Sequence, residues 1–331
     1  MVKGLYVMNQ ASFELVYPKA VRKEIETLSD IYKQPLTNQQ LQQDLSVLHE
    51  AEVIFSGWGG PKLDQTLLNA APNLKAFFYA AGSLKHTVTK AAWERDILLT
   101  NAVKANAVPV AEYTLSQILF CLKKGWTFTR SIRRNKQYPT KTNDVSGAFG
   151  STVGIVSLST VGRMVCELLK SFDVHVIAYD PYIKAGEAAK LGVKLCSLEE
   201  IFSRSDVVSL HPPLLEETKA MIGKELISQM RPSASMINTS RGAIIKEAEM
   251  VEVLRERTDI TVVLDVTSPE PPHADSPLYY LENVILTPHL AGSVGKECGR
   301  MGSYMLEEFK RYINHEPLRW QIKEEFFHIL A

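Results

Sequence analysis

The chain has 331 residues, about twice the usual length of one domain, so two domains are expected. Lys plus Arg and Asp plus Glu number 37 each, so the formal net charge is zero and no basic surface for nucleic acid or an anionic membrane is expected. Hydrophobic residues make up 45% and charged residues 22%, which is typical of folded globular proteins and excludes a disordered chain.

The amino-terminal apolar run turns polar at Asn9, too early for a signal peptide, so no targeting segment is expected. No apolar run reaches the roughly 18 residues of a membrane span. The four cysteines are too far apart in sequence for a zinc pattern or a redox pair, which predicts no metal site and reduced thiols in the cytoplasm. They are Cys121, Cys166, Cys196 and Cys298.

Short β-branched or aromatic segments alternate with helical patterns, which predicts an α/β fold with doubly wound parallel sheets. A helix is predicted over residues 108–123 and a loop over residues 133–150. In the first hundred residues, strands are predicted at 4–8, 53–56, 76–79 and 97–100.

A second series of six predicted strands follows the loop, and six is the number in a dinucleotide-binding sheet. A last helix, predicted over residues 298–313, is expected to cross back to the first domain. The six strands are predicted at 152–156, 174–179, 207–210, 236–238, 262–266 and 284–286.

The segment VGIVSLSTVGR predicts a strand, a turn and a helix whose unpaired amides favour a pyrophosphate. In the G-x-G-x-x-G pattern of such turns, Ser157 and Ser159 replace the first two glycines and only Gly162 is kept. A serine Cβ hinders the approach of phosphate, whereas its hydroxyl can donate to it, so the affinity for NAD is left open. The predicted phosphate-binding residues are Ser159, Thr160, Val161 and Gly162.

The next predicted strand ends at Asp180, about 20 residues after Ser159, which is the spacing of a ribose-binding acid. Its carboxylate would accept hydrogen bonds from the ribose hydroxyls and repel a 2′-phosphate, which favours NAD over NADP. The same residues also fit a plain strand-end turn, Asp180-Pro181.

Three later segments place reactive side chains just beyond predicted strands, at the sheet edge where ligands of such folds bind. INTSRG contains Arg241, LDVTSPEP contains Glu270, and ILTPHLAG contains His289. Each residue alone has an ordinary explanation: an arginine that caps a helix, a solvated loop acid, or a buried histidine. Their joint position predicts an active site.

These segments and ANAVPVAEY at residues 105–113 resemble the D-isomer-specific 2-hydroxyacid dehydrogenase family over nearly the whole chain. The resemblance implies an oxidoreductase that transfers a hydride between NAD(H) and a small D-2-hydroxy acid or 2-keto acid, with Arg241, Glu270 and His289 as the catalytic residues. It also implies a homodimer. The implied domains are a flavodoxin-like catalytic domain of residues 1–102 and 292–331 and a Rossmann NAD-binding domain of residues 103–291.

The residue types suit this chemistry. A histidine exchanges a proton near neutral pH, and a glutamate partner favours its protonated form. An arginine fork can bind the substrate carboxylate and polarise the reacting carbonyl. By the same resemblance, Asp265 would accept a hydrogen bond from the nicotinamide carboxamide, and Thr239, His211 and Pro212 would line the cofactor cleft. For His211, a strand-end histidine without ligand contact is an equal alternative.

The resemblance assigns substrate binding to two loops of the first domain, Trp58 and Gly59 on one and Ala81, Gly82 and Ser83 on the other. Lys85 and His86 follow where the family usually carries an acidic residue, which leaves the substrate open. Lys85 either meets a second acidic group of the substrate or is a solvated loop lysine.

Two other functions stay open. One is an NAD(H)-sensing binding protein on a dehydrogenase scaffold, against which the complete catalytic set argues. The other is an NADP-dependent glyoxylate or hydroxypyruvate reductase, which would carry a basic cluster where Asp180-Pro181-Tyr182 stands.

Overall fold

The computed structural model describes residues 1–140 and 145–327, and the chain divides into two compact units. Unit 1 consists of Met1–Asn106 and Ser293–Ala331, and unit 2 of Ala107–Gly292. The sequence predicts boundaries at residues 102 and 291, whereas the two units divide at residues 106 and 292.

The strands in the described residues form two sheets, one in each unit. They are β1 (Val2–Val7), β2 (Ser29–Ile31), β3 (Val53–Ser56), β4 (Ala76–Tyr79), β5 (Leu98–Asn101), β6 (Thr152–Val156), β7 (His175–Tyr179), β8 (Lys194–Leu195), β9 (Val207–Leu210), β10 (Ser235–Asn238), β11 (Thr261–Leu264), β12 (Val284–Leu286) and β13 (Gln321–Ile322).

The helices lie mainly in the connections between strands, and no helix in the described part of the chain is long and apolar enough to cross a membrane. They are α1 (Gln10–Val16), α2 (Lys19–Leu28), α3 (Asn38–Gln43), α4 (Gln65–Ala70), α5 (Lys90–Glu94), α6 (Val103–Leu122), α7 (Gly125–Asn135), α8 (Thr160–Leu169), α9 (Ala185–Lys190), α10 (Leu198–Arg204), α11 (Lys224–Ser228), α12 (Glu247–Glu256), α13 (Cys298–Ile313) and α14 (Glu324–Phe327).

The sheet of unit 1 has the order β13-β5-β4-β3-β1-β2, and all its neighbours are parallel except β13 and β5. Apart from β13, this is the flavodoxin-like order. The sheet of unit 2 has the order β12-β11-β10-β9-β6-β7-β8 and is fully parallel. It is the doubly wound dinucleotide-binding order with β12 added at one end. The predicted α/β fold is confirmed.

Most of the predicted elements are present. The predicted ranges for β3, β4, β6, β9, β12 and α13 agree with the structure, and the other predicted strands are displaced by up to two residues. Three strands that were not predicted, β2, β8 and β13, have only two or three residues, too few to show a pattern. Helix α6 begins at Val103 rather than at residue 108, with Pro109 inside it. The loop predicted over 133–150 overlaps the end of α7, and its residues 141–144 lie outside the described residues.

Aromatic rings join α13 to one face of the sheet in unit 1. Phe55 of β3 stacks on Phe78 of β4 with ring centroids 5.4 Å apart, and Phe309 of α13 meets Phe55 edge-on at 5.0 Å. All three side chains are fully buried. A packed aromatic layer therefore supports β3 and β4 on this face, close to the ends from which their loops leave.

Helix α13 also approaches α1 closely at Gly302, where an added Cβ would overlap the carbonyl oxygen of Val16. We therefore expect Gly302→Ala to lower the free energy of unfolding by about 1–3 kcal/mol, because the two helix backbones must separate. The urea midpoint followed by circular dichroism measures this. At Gly299, on the same helix, an added Cβ would make an ordinary 3.4 Å contact with Pro18, so Gly299→Ala is the matched control. Equal midpoints for the two variants would contradict the close approach.

Candidate active site

The predicted phosphate turn connects β6 to α8. Ser159 caps the helix: its hydroxyl accepts a hydrogen bond from the Gly162 amide at 3.4 Å and donates to the carbonyl of His211 at 2.8 Å. The amides of Thr160 and Val161 are the first two of the helix and have no intrahelical acceptor. These two amides are the ones that remain for an anion at this helix end.

The turn and the helix pack so closely at Gly162 that an added Cβ would overlap the carbonyl oxygen of Ser157. This contact explains why the third glycine of the pattern is kept. Ser157 has a φ of +74°, a left-handed conformation that favours glycine, and its Oγ lies 3.3 Å from Oδ2 of Asp180. The two serines thus keep the fold of the turn and tie it to neighbouring loops, and the cradle still fits a dinucleotide.

Asp180 follows β7 directly, beside the phosphate turn. Its Oδ2 accepts a hydrogen bond from the amide of Leu158 at 2.8 Å, and its Oδ1 accepts one from Tyr182 at 2.9 Å. The side chain is half-buried. The carboxylate therefore stands at the strand end and turn where a ribose-binding acid is expected.

His211 lies at the end of β9, and Pro212 follows it. The imidazole is buried, and its Nε2 lies 2.9 Å from the hydroxyl of Ser209. Burial lowers the pKa of His211 to about 3, so the ring is neutral at physiological pH. Nδ1 of this ring has no hydrogen-bond partner among the described residues. Thr239, after β10, has its hydroxyl 2.9 Å from that of Thr114 in α6.

The structure brings Glu270 and His289 into direct contact, with Nδ1 of the ring 2.6 Å from Oε1 of the carboxylate. Both side chains are about half exposed, His289 at 51% and Glu270 at 42%. His289 has a φ of +51°, and its amide donates to the carbonyl of Asp265 at 2.9 Å. Because Nδ1 faces the carboxylate, Nε2 is the ring nitrogen left to exchange a proton with a substrate.

Arg241 follows β10 and begins a short 3-10 turn, Gly242–Ile244. Its Nη1 donates to the carbonyl of Ser240 at 2.7 Å. Burial lowers the pKa of its guanidinium, and the Glu270 carboxylate opposes that shift. An added Cβ at Gly242 would overlap the backbone of Thr267. The arginine turn is therefore packed directly on the loop that carries Glu270.

Asp265 is buried, and its carboxylate is engaged within unit 2. It accepts hydrogen bonds from the amides of Leu290 and Ala291, both at 2.9 Å, and from the hydroxyl of Thr287 at 2.6 Å. The hydroxyl of Tyr113 lies 3.1 Å from that of Thr287. Asp265 thus holds the segment that carries His289. Its predicted contact with the nicotinamide carboxamide stays a prediction.

Sequence reasoning missed Tyr113 and Thr287 as positioning residues. The only available signal was their place inside ANAVPVAEY and LTPHLAG, because neither residue type suggests catalysis by itself. Their contact joins positions far apart in the chain, so no local spacing could have paired them.

The residues predicted to bind substrate lie in unit 1, on the loops after the neighbouring strands β3 and β4. Gly59 has a φ of +74°, and an added Cβ there would overlap the side chain of Asn9. At Gly82, between Ala81 and Ser83, an added Cβ would meet no atom within 4 Å. The amide of Asn9 donates to the carbonyl of Trp58 at 2.8 Å, and that of Lys85 to the hydroxyl of Ser83 at 3.3 Å.

Comparison with known proteins identifies the family. Residues 115–291 match the family model described as "D-isomer specific 2-hydroxyacid dehydrogenase, NAD binding domain". A glyoxylate reductase from Korarchaeum cryptofilum is 31% identical over 256 residues, which cover 75% of this chain and 77% of that protein. The chain belongs to the D-isomer-specific 2-hydroxyacid dehydrogenase family. The resemblance is confirmed, and unit 2 contains the family's NAD-binding domain.

Two further matches are a longer relative and a solved structure with the same fold. A D-3-phosphoglycerate dehydrogenase from Mycobacterium bovis is 33% identical over 250 residues, 75% of this chain but 47% of that protein. The chain thus spans about half the length of such curated relatives. An NAD complex of a D-isomer specific 2-hydroxyacid dehydrogenase from Lactobacillus delbrueckii ssp. bulgaricus has a TM-score of 0.79, 19% identity, and covers 98% of this chain and 100% of its own. This likeness shows the shared fold.

The buried histidine beside the phosphate turn predicts a pH-dependent loss of stability. The pKa of His211 falls from 6.5 to about 3 on folding, so between these pH values the unfolded chain binds a proton that the folded protein does not. Stability is therefore lost as the pH falls below 6.5, by up to about 1.4 kcal/mol per pH unit from this group.

We expect His211→Gln to flatten that part of the profile, because the substitution removes the titrating ring and keeps a polar side chain beside Ser209. Urea midpoints at pH 7, 6 and 5 measure the slope. His175→Gln, at an exposed position in β7, controls for the loss of one histidine from unit 2. Parallel profiles for the wild type and His211→Gln would show that the buried ring does not cause the slope.

Proposed function

We propose that the protein is an NAD-dependent dehydrogenase that interconverts small D-2-hydroxy acids and 2-keto acids. The observation that carries this proposal is the 2.6 Å contact between His289 and Glu270, in the same unit as the phosphate turn. The arginine turn that starts at Arg241 packs on the loop of Glu270, which adds a cationic group to the pair.

The amides of Thr160 and Val161 would hold the pyrophosphate of NAD, and Asp180 would accept hydrogen bonds from the adenosine ribose. When bound, the nicotinamide supplies or accepts the hydride. A carboxylate at residue 180 is unfavourable for a 2′-phosphate, so NAD is preferred over NADP. His211 and Pro212 would line the same cleft with Thr239, and Asp265 would meet the carboxamide while it holds the His289 segment.

His289 would move the proton of the reaction at its Nε2. In the reductive direction the imidazolium gives this proton to the carbonyl oxygen of the keto acid as the carbon gains a hydride, and a 2-hydroxy acid results. In the oxidative direction the neutral ring takes the hydroxyl proton as the hydride leaves. The Glu270 carboxylate would hold the ring through Nδ1 in both directions, so that Nε2 is left for the substrate.

Arg241 would bind and orient the substrate. A guanidinium remains charged in proteins even where burial lowers its pKa, so it can form two parallel hydrogen bonds with the substrate carboxylate. The same group can polarise the adjacent carbonyl, which withdraws electron density from the carbon that receives the hydride.

The loops with Trp58 and Gly59 and with Ala81, Gly82 and Ser83 would set the size of the substrate. Relatives of this chain are named for substrates that differ in size and charge: phosphoglycerate, glyoxylate and sulfolactate. Lys85 follows this second loop, where an ammonium group would favour a substrate with a further acidic group.

We also propose a homodimer in the cytoplasm. Helix α7 carries three large apolar side chains, Trp126, Phe128 and Ile132, that are only partly buried within one chain. An amphipathic helix in this state is expected to be covered by a partner, and the family resemblance indicates a second copy of the chain. All four cysteines lie in the described residues and are free thiols, which suits a reducing compartment.

The activity is tested by NADH oxidation with glyoxylate, pyruvate, hydroxypyruvate and bulkier branched 2-keto acids, with NADPH measured in parallel. We expect turnover with NADH and much slower turnover with NADPH. His289→Ala should lower kcat by about 10²–10⁴-fold, because the proton donor is lost, while NADH still binds. Fluorescence titration of bound NADH measures that binding.

His273→Ala is the matched control, since this exposed histidine lies three residues after Glu270 in the same loop. NADH binding without turnover of any acid would favour the cofactor-sensing protein, and faster turnover with NADPH would favour the NADP-dependent reductase. Loss of NADH binding in His289→Ala would contradict the catalytic role.

The dimer is tested by sedimentation equilibrium, which should give twice the mass of one chain. We expect the double substitution Phe128→Asp and Ile132→Asp to produce a monomer, because two charges would be placed on the face of α7 that the partner covers. Arg133→Asp, at an exposed position of the same helix, is the control. A monomeric wild-type protein would overturn the proposal.

A further inference from the structure

The carboxylate of Asp180, which the proposed function assigns to the ribose of the dinucleotide, accepts three hydrogen bonds from its own chain. Oδ2 accepts one from the amide of Leu158 at 2.8 Å and one from the hydroxyl of Ser157 at 3.3 Å. Oδ1 accepts one from the amide of Tyr182 at 2.9 Å. A carboxylate has about four lone pairs, two on each oxygen, so a single acceptor position remains, on Oδ1.

A ribose needs more than this one position. Its 2′- and 3′-hydroxyls are adjacent donors, and a carboxylate that binds both of them uses one position on each of its oxygens. Both positions of Oδ2 are taken, so the ribose forms its second hydrogen bond only when one of the three donors leaves. This inference rests on the proposed function, namely on a dinucleotide that binds at the phosphate turn.

The hydroxyl of Ser157 is the donor that can leave most easily. The other two donors are backbone amides, which cannot move away from Asp180 without a change in the turns that carry them. The backbone of Ser157 is also fixed, because its amide donates to the carbonyl of Tyr179 at 2.7 Å and its carbonyl oxygen packs against Gly162. Its hydroxyl, however, leaves Asp180 by rotation about the Cα–Cβ bond alone.

The backbone conformation makes a serine at this position unfavourable. Ser157 has a φ of +74°, in the left-handed region that favours glycine, so its side chain costs free energy in the folded turn. Within the described part of the chain, its hydroxyl forms one hydrogen bond, the one to Asp180. A glycine at residue 157 would remove the backbone cost and leave a position on Oδ2 open to a ribose.

We propose that the hydroxyl of Ser157 competes with the ribose of the dinucleotide for Asp180 and thereby lowers the affinity for NAD. Each cofactor molecule that binds exchanges one hydrogen bond within the protein for one to the ribose, and so gains less than it would from an open carboxylate. Ser157 is thus an affinity-determining residue of the cofactor site, and it acts on the ribose rather than on the pyrophosphate.

The test is a fluorescence titration of NADH on the full chain. Ser157→Ala should lower the Kd by about threefold to tenfold, because the competing donor is lost while the Cβ is kept. Ser157→Gly should lower it at least as much and should also fold, since it relieves the backbone conformation. Ser203→Ala is the matched control, because this exposed serine of α10 donates to the carbonyl of Glu199 and should bind NADH as the wild type does.

A double-mutant cycle separates competition from simple steric hindrance. In an Asp180→Ala background, Ser157→Ala should leave the Kd unchanged, because the hydroxyl and the ribose no longer share a carboxylate. The same gain in both backgrounds would show that the hydroxyl merely obstructs the phosphate, and would overturn the proposal. A Kd that rises in Ser157→Ala would overturn it as well, since the hydroxyl would then be a ligand of the dinucleotide. An unchanged Kd would also count against it.

Two further measurements keep this proposal apart from the proposed function. ADP-ribose carries the same adenosine ribose without the nicotinamide, so its affinity should rise in Ser157→Ala by the same factor as that of NADH. Tighter binding of both ligands without turnover of any 2-keto acid would contradict the dehydrogenase and leave the role of Ser157 in place. Absence of NADH binding in every variant, Ser157→Gly included, would overturn both.

Discussion

The buried carboxylate of Asp265 holds the candidate active site together. A carboxylate at this depth is stable only when donors surround it, and the amides of Leu290 and Ala291 and the hydroxyl of Thr287 supply them. These hydrogen bonds join the end of β11 to the segment after β12. Since Glu270 follows β11 and His289 follows β12, the carboxylate also sets the distance across which the two side chains meet.

Side-chain hydrogen bonds also fix the position of the phosphate turn, and here serines form them. The glycine that packing demands, Gly162, is present, whereas the two positions where phosphate approaches carry serines. Those serines bond to Asp180 and to the carbonyl of His211, so the turn is connected to the strand ends on both sides. The arrangement retains the two free amides at the start of α8, which is what an anion needs.

Much of the fold and of the candidate site could be predicted from the sequence, and the features that could not be predicted have physical causes. Buried parallel strands have continuous apolar runs, and reactive residues that follow them must lie at one sheet edge, which is why the sequence predicts Arg241, Glu270 and His289 at one site. Strands β2, β8 and β13 are too short to carry a pattern. The contact of Tyr113 with Thr287 joins positions far apart in the chain, so no local pattern reveals it.

Gly242 and Gly82 differ in how much space surrounds them, and therefore in which substitutions they tolerate. Gly242 lies against the backbone of Thr267, so neither loop can accept an insertion or a larger residue without moving Arg241 and Glu270 together. Gly82 faces open space on the loop predicted to contact substrate. A larger side chain at residue 82 would thus meet no steric barrier and would leave Arg241 and Glu270 in place, whereas a larger residue at 242 would displace both.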